Sequence, residues 1–495
     1  MKKLMVTLLC LVVLVIGTPA GFAYAPYESY TYSTQTGKAV AQYCPTPYYP
    51  AFSIDKTSIG VPLVTPTCMC FDKDGNLYIT DSSTNRLLVL DKDYKLKANI
   101  DTIEDDQGNF DFFGGPEGIF VTDEGEIYIC DTKQKRILVL DKDYRLVRKY
   151  EGIKPINTTE EEYMFLPTRI VVDASKNMYV LIQNEYQGIM QIDNEGRFIS
   201  FVGGNKVTYD PITKLWKKLM SKEQREQLDQ FLPVEYTNLS QDSEGLIYTV
   251  SKADNSDPIK RLNLSGKDVL IRNGYTDVIG DVIAPTGKQG EILNSLFVDI
   301  VSDENGLIYA LDANRGRVFV YNNEGFLFYV FGGIGTQLGT FSTPSAIEVN
   351  GTDILVADQG NPRITVFRRT EYASLISKAD EAYNTGLYDE SVRTWNQVIE
   401  RNSNFELAYA QIGKVYLRRN QYEDAMRYFE LGNFRGDKIT NTTGYNKAFS
   451  EYRRQTAAKW LGPIVITIVV IALGVWVFRL IKKKKGHLSK KGGER

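Results

Sequence analysis

Four pairs of opposite charge recur at one spacing: Asp81/Arg86, Asp131/Arg136, Asp312/Arg317 and Asp358/Arg363. Such a pair can hold a ligand by charge and hydrogen bonds, or it can tie together the two ends of a short loop. Repetition favours the second reading, because a device present in four places serves a fold more readily than one substrate. Two further copies of the surrounding pattern break the pair, with Ile182 and Ser251 at the aspartate position. General acid–base chemistry near neutral pH has few candidates, since the sole histidine among 495 residues is His487. No G-x-S-x-G elbow, Walker loop or dinucleotide fingerprint occurs in a strand-turn-helix setting. Enzyme activity is the minor expectation, and no cofactor is expected.

The elements that carry these pairs are copies of one another. "FDKDGNLYITDSSTNRLLVLDKDYKL" at 71–96 returns as "VTDEGEIYICDTKQKRILVLDKDYRL" at 121–146, and the same turn-strand-turn-strand layout returns from 173, 242, 303 and 350. Six units result, anchored at Tyr78, Tyr128, Tyr179, Tyr248, Tyr309 and Leu355. Their spacings of 50, 51, 69, 61 and 46 residues each accommodate about four strands and their turns. Alternating apolar residues leave both faces of each sheet in need of cover, and a ring of stacked sheets provides it.

The last unit, "FGGIGTQLGTFSTPSAIEVNGTDILVADQGNPRITVF" at 331–367, resembles the NHL-repeat signature of FGG-x-G, F-x-x-P, Asp and R-I-x-V-F. The resemblance runs over 51–370 and is weakest in the third and fourth units. It implies a mainly β fold: a six-bladed β-propeller, with 26–50 as an extended Tyr/Pro-rich segment draped on it and a strand such as "AFSI" closing the ring.

In such a fold the residue ten before each anchor faces the central channel, which selects Cys68, Gly118, Arg169, Asn238, Asp299 and Ser345. The fold is similar to calcium-dependent lactonase propellers, in which a hard cation takes six to eight oxygen ligands. That resemblance would make Glu117, Asn238 and Asp299 the metal ligands of a gluconolactonase-type hydrolase. Arg169 sets a fixed positive charge in the same ring, and Asn238 and Asp299 alone are too few ligands, although Glu117 lies one position away, so no metal is expected. Glu117, Arg169, Asn238 and Asp299 are the expected ligand-binding residues of the channel mouth. The long connection "KVTYDPITKLWKKLMSKEQREQLDQF" from 206 reads as a helical insertion, with Trp216 as a candidate lid residue.

Both ends of the chain speak of a membrane. "MKKLMVTLLCLVVLVIGTPAGFAYA" has the charge, apolar core and small residues of a signal peptide over 1–25, with Cys10 removed along with it. About twenty apolar residues within 460–481 are enough to cross a ~30 Å hydrocarbon core. Arg479 and Lys482 to Lys485 then place the tail, 482–495, in the cytoplasm, and the rest of the chain outside. In an exported protein Cys44, Cys68, Cys70 and Cys130 can oxidise. Cys68 and Cys70 share one strand face and pair poorly with each other, so pairing with Cys44 or Cys130, or four free thiols, stay open.

Between the ring and the span, "ADEAYNTGLYDESVRTWNQVIERN" aligns with "GKVYLRRNQYEDAMRYFELGNF" at a shift of 34 residues. This resembles two tetratricopeptide repeats, capped by a helix and filling 371–457, and implies either a peptide-gripping surface or a rigid stalk. The whole reads as a single-pass cell-surface binding or scaffold protein for an extracellular protein, peptide or glycan. A net charge of -3 gives no cationic footprint for nucleic acid.

Overall fold

The computed structural model of the chain describes residues 25–33, 40–156, 158–159, 163–204, 234–251, 257–274, 276–281, 294–432 and 444–491. Residues 1–24, all but the last of the expected signal peptide, the expected insertion after Lys206 with Trp216, and residues 492–495 lie outside them. The chain divides into two compact units, Met1–Glu381 and Ala382–Arg495.

In the first unit six antiparallel sheets succeed one another as the blades of a propeller. Their innermost strands are Pro66–Phe71, Pro116–Val121, Pro167–Val172, Tyr236–Gln241, Phe297–Ser302 and Pro344–Asn350. The next two strands of a blade are buried on both faces, as in Leu77–Asp81 and Arg86–Leu90, while the outer strand Leu96–Ile100 alternates toward water. Successive side chains along a strand serve different neighbours. Tyr78, Leu87 and Val89 pack with Ile119, Ile127 and Ile129 of blade two. Leu77, Ile79 and Leu88 pack on Leu355, Ala357 and Ile364 of blade six.

The anchoring tyrosines have a polar task as well. Tyr78, Tyr179 and Tyr309 donate to Asp72, Asp173 and Asp303 at 3.2, 3.3 and 3.0 Å. Those aspartates cap the hairpin turns by accepting backbone N–H groups, as Asp72 does from Asp74 and Asn76. One side chain therefore fills the sheet interface and fixes a turn.

The ring closes with a strand from the far end of the sequence. Tyr48–Ile54, which contains the "AFSI" run, pairs antiparallel with Arg363–Arg369 as the outer strand of blade six, matching Ile54 to Ile364 and Tyr48 to Arg369. Tyr48 is fully buried; its hydroxyl accepts from Arg369 Nε at 2.8 Å. Tyr30–Ser33 and Val40–Tyr43 add two more strands to blade five, giving it six, whereas blade four has three among the described residues. Asp281 locks this addition. It accepts from the Tyr30 and Tyr32 hydroxyls and from Arg315 and Arg317, and these donors hold its carboxyl below the usual range against the upward pull of burial.

The recurrent Asp/Arg pairs tie loops, but only two are ion pairs. Arg86 and Arg136 meet Asp81 and Asp131 at 3.1 and 2.8 Å. Arg317 turns instead to Asp281 at 2.7 Å, and Arg363 to the carbonyl of Gln337 at 2.6 Å. What the four aspartates share is the capture of N–H groups leading into the innermost strand. These come from Val64 and Thr65, from Gly114, from Leu296, and from Ser342 and Thr343. Each carboxylate is wholly buried, so the donors replace lost water.

In the second unit, helices Tyr388–Arg401, Glu406–Arg418 and Tyr422–Leu431 bury Ser391, Trp395, Ala425 and Phe429, positions that coincide in pairs at the 34-residue shift. Ala448, early in helix Gly444–Lys491, packs into the Phe429 cluster. The same helix then runs on through a stretch long and apolar enough to cross a membrane, none of it buried by protein. The first unit retains most of helix Glu371–Asn384, because Asn322 bonds Asp380 and Arg369 bonds Ser377.

A double-mutant cycle separates the two kinds of aspartate. Coupling of Asp131→Ala with Arg136→Met is expected at about 1 kcal/mol or more, against nearly zero for Asp358→Ala with Arg363→Met. Asp358→Ala alone is expected to cost about 2–4 kcal/mol, through unpaired Ser342 and Thr343 N–H groups. Circular-dichroism unfolding of each variant supplies the comparison.

Candidate functional site at the channel mouth

All six innermost strands begin with the same irregularity. Register slips by one residue after the first pair, between Pro66 and Cys68, Pro116 and Ile119, Pro167 and Arg169, Tyr236 and Asn238, Phe297 and Asp299, and Pro344 and Ala346. A bulge frees one residue from pairing and bends the strand. The freed residues are Thr67, Glu117, Thr168, Thr237, Val298 and Ser345, a ring at the end of the channel where the strands start. Their hydroxyls join neighbouring blades: Thr237 donates to the Phe297 carbonyl at 3.2 Å and Ser345 to the Pro66 carbonyl at 2.7 Å.

One step further in, register aligns Cys68, Gly118, Arg169, Asn238, Asp299 and Ala346. Ser345, expected in this ring, belongs to the bulge ring instead. The reason is the hairpin of blade six. Val349 pairs with Ile354 across four residues, where blade one spaces Phe71 from Leu77 by five, so counting ten back from Leu355 overshoots by one. The same register defines a deeper ring opposite the anchors: Cys70, Phe120, Val171, Ser240, Val301 and Glu348. Glu348 went unnoticed in the sequence; the Asn-Gly turn at 350–351 was the signal that could have exposed it.

The expected mouth residues meet in two groups. Arg169 reaches across the channel, donating to the Thr168 carbonyl at 2.8 Å and the Thr67 carbonyl of blade one at 3.4 Å. Its guanidinium lies 3.7 Å from the Glu117 carboxylate. Burial raises the Glu117 carboxyl, and the charges of Arg169 and Lys133 oppose that. Gly118 lets the innermost strands of blades two and three approach closely, because a Cβ there would stand 2.7 Å from both Arg169 Cα and the Thr168 oxygen. Asn238, 2% exposed, donates its side-chain amide to Asp299, 6% exposed. Asp299 also accepts the N–H groups of Ile300 and Ile347, each at 2.7 Å.

These bonds leave the lactonase-type ligand set unassembled. Asn238 and Asp299 meet, yet the oxygens of Asp299 are taken by three N–H donors, the Asn238 oxygen accepts from Leu239, and Glu117 faces Arg169. Among the described residues, no group of three or more His, Cys, Asp or Glu could hold a metal ion. Cys44, Cys68, Cys70 and Cys130 are all thiols in this structure, and Cys130 is wholly buried. Cys68 and Cys70 line the channel beside blade two. Trp216, the candidate lid, is outside the described residues.

The channel acids are poised differently from surface carboxylates. Burial pushes Asp299 up to about 7, opposed by its N–H donors and Arg169. Burial pushes Glu348 up to about 8, with repulsion from Asp299 adding to it and one N–H bond from Val349 opposing. Glu348 is only partly exposed, with protein packed closely around it, so its charge is poorly solvated.

No family model matches the chain, and no curated protein does. Solved structures do resemble it. A streptogramin B lyase is 14% identical with a TM-score of 0.41, over 66% of this chain and 98% of that one. A virginiamycin B lyase from Staphylococcus aureus is 13% identical with a TM-score of 0.39, over 64% and 99%. A protein of unknown function from Bacteroides thetaiotaomicron is 11% identical with a TM-score of 0.41, over 67% and 79%. At these identities the likeness is one of fold alone.

Raised carboxyls make stability depend on pH with a definite sign. Between about pH 4.5 and 8 the unfolded chain has released the Glu348 proton that the folded chain still holds, so folding stability falls as pH rises. Glu348→Gln removes this contribution. The variant is expected to gain about 1–3 kcal/mol over wild type at pH 8 relative to pH 4.5, measured by denaturant unfolding at both values.

Proposed function

We propose that the chain is an exported, membrane-anchored binding or scaffold protein: an NHL-type propeller and a short tetratricopeptide-like helical unit outside the membrane, one span, and a basic cytoplasmic tail. Its partner is an extracellular protein, peptide or glycan, and it works without catalysis. One observation carries the reading: the polar groups at the channel mouth are spent on one another. Arg169 lies against Glu117 and two backbone carbonyls, and Asn238 against Asp299, so the four expected mouth residues face one another; Glu348, deeper in the channel, is a carboxyl outside that pairing. The unburied apolar helix supports the anchor, and the lysines that follow it support a cytoplasmic tail.

The reading of a metal-dependent lactonase gives the opposing outcome. With calcium or zinc added, the full chain in detergent is expected to turn over neither lactones nor esters. Turnover that stops on mutation of Glu117, Asn238 or Asp299 overturns the proposal. Cross-linking on intact cells is expected to trap a surface partner, and external protease to digest the propeller while sparing an epitope fused to the tail.

A further inference from the structure

Between the outer strand of blade one and the innermost strand of blade two, the chain forms a small hairpin, Thr102–Glu104 with Phe110–Phe112. It stands at the same end of the blades as the channel mouth, since Glu117 follows it directly in the chain. Register pairs Thr102 with Phe112, Ile103 with Asp111 and Glu104 with Phe110, so its two faces differ completely.

The inner face is fastened. Ile103 is buried in the core between blades one and two, with Phe113 just beyond the strand beside it. Asp111 takes a two-pronged grip from Arg136 at 2.6 and 3.1 Å, which holds its carboxyl below the usual range. The tip is capped by Asp105, which accepts from Gln107 at 2.9 Å and from the Asn109 backbone and side chain at 2.8 and 2.9 Å. The outer face carries Phe110 and Phe112, 68% and 61% exposed, beside Thr102 and Glu104. Two phenylalanines held rigidly in water are an anchor without its pocket.

Charge decides what that anchor fits. From 101 to 112 the chain has Asp101, Glu104, Asp105, Asp106 and Asp111 and no lysine or arginine. Asp111 is spent on Arg136 behind the hairpin; the others flank the aromatic face. A second copy meeting this face across a two-fold axis would bring like carboxylates together, and an anionic lipid surface would be repelled as well.

We infer that the Phe110/Phe112 face of this hairpin is a docking surface for a partner protein segment in which lysine or arginine side chains bracket an apolar or aromatic one. This rests on the binding reading above and gives the partner its chemistry.

The full chain is placed in discs of neutral lipid and titrated with a fluorescent peptide that alternates lysine with leucine and phenylalanine. A counterpart carrying glutamate for lysine is run beside it. The lysine peptide is expected to bind and to weaken with added salt. Its affinity should fall at least about tenfold for Phe110→Ser with Phe112→Ser, and about three- to tenfold for Glu104→Gln with Asp106→Asn. Neither pair touches the core, so thermal unfolding should match wild type. Several results overturn the inference: no binding, binding unaffected by the Phe pair, equal binding of the glutamate peptide, or self-association in sedimentation that the Phe pair abolishes. A surface partner that cross-links equally to wild type and the Phe variant refutes this surface while leaving the binding reading intact; absence of any cross-linked partner refutes that reading itself.

Discussion

Every blade of this propeller has two apolar faces, and no blade can be stable until both are covered. Strands such as Ile127–Asp131 are buried on either side, so the sheets must form a closed circuit in which each is its neighbour's cover. Closure falls to Tyr48–Ile54, a strand from before the first blade that completes the last one. It sets the rest in place. Tyr48 meets Arg369, Arg369 meets Ser377, and the segment preceding it is strapped to blade five through Tyr30, Tyr32 and Asp281. The tyrosine wealth of the N-terminal segment is thus a packing device, with hydroxyls serving buried charge.

The same circuit explains the interior. Six bulged strands converge on one axis, and the side chains there differ because nothing in the blade pattern dictates them. They settle their polarity locally: arginine against glutamate, amide against aspartate, threonine and serine hydroxyls against the carbonyls of the next blade. Glu348, deeper in and partly exposed, has a carboxyl that accepts from the Val349 N–H.

Much of this could be read in the residues. Periodic repetition with alternating apolar residues pointed to six blades, and every anchor, Leu355 included, falls on the second strand of its blade; counting ten back reaches the inner ring in the first five blades, which keep one hairpin length. Blade six shortens that hairpin, which shifted Ser345 into a ring where Ala346 belongs and hid Glu348. The Asp/Arg positions were legible as a repeat, but their partners were not: Asp358 and Arg363 flank one turn yet bond to the entry loop, since buried carboxylates go to N–H groups lacking other acceptors. Strand addition to blade five rests on contacts more than two hundred residues apart, such as Tyr30 with Asp281, which no local pattern encodes.

The helix from Gly444 to Lys491 has no break between the turn that buries Ala448 and the apolar stretch beyond Trp460. At about 1.5 Å per residue, roughly 18 Å of helix separates the buried Ala448 from Trp460. In a bilayer such a rod is a lever: a thinner membrane that tilts the span swings the helical unit by the same angle. A weak point in this lever is the turn ending at Pro463, which lacks the N–H that would bond the Lys459 carbonyl.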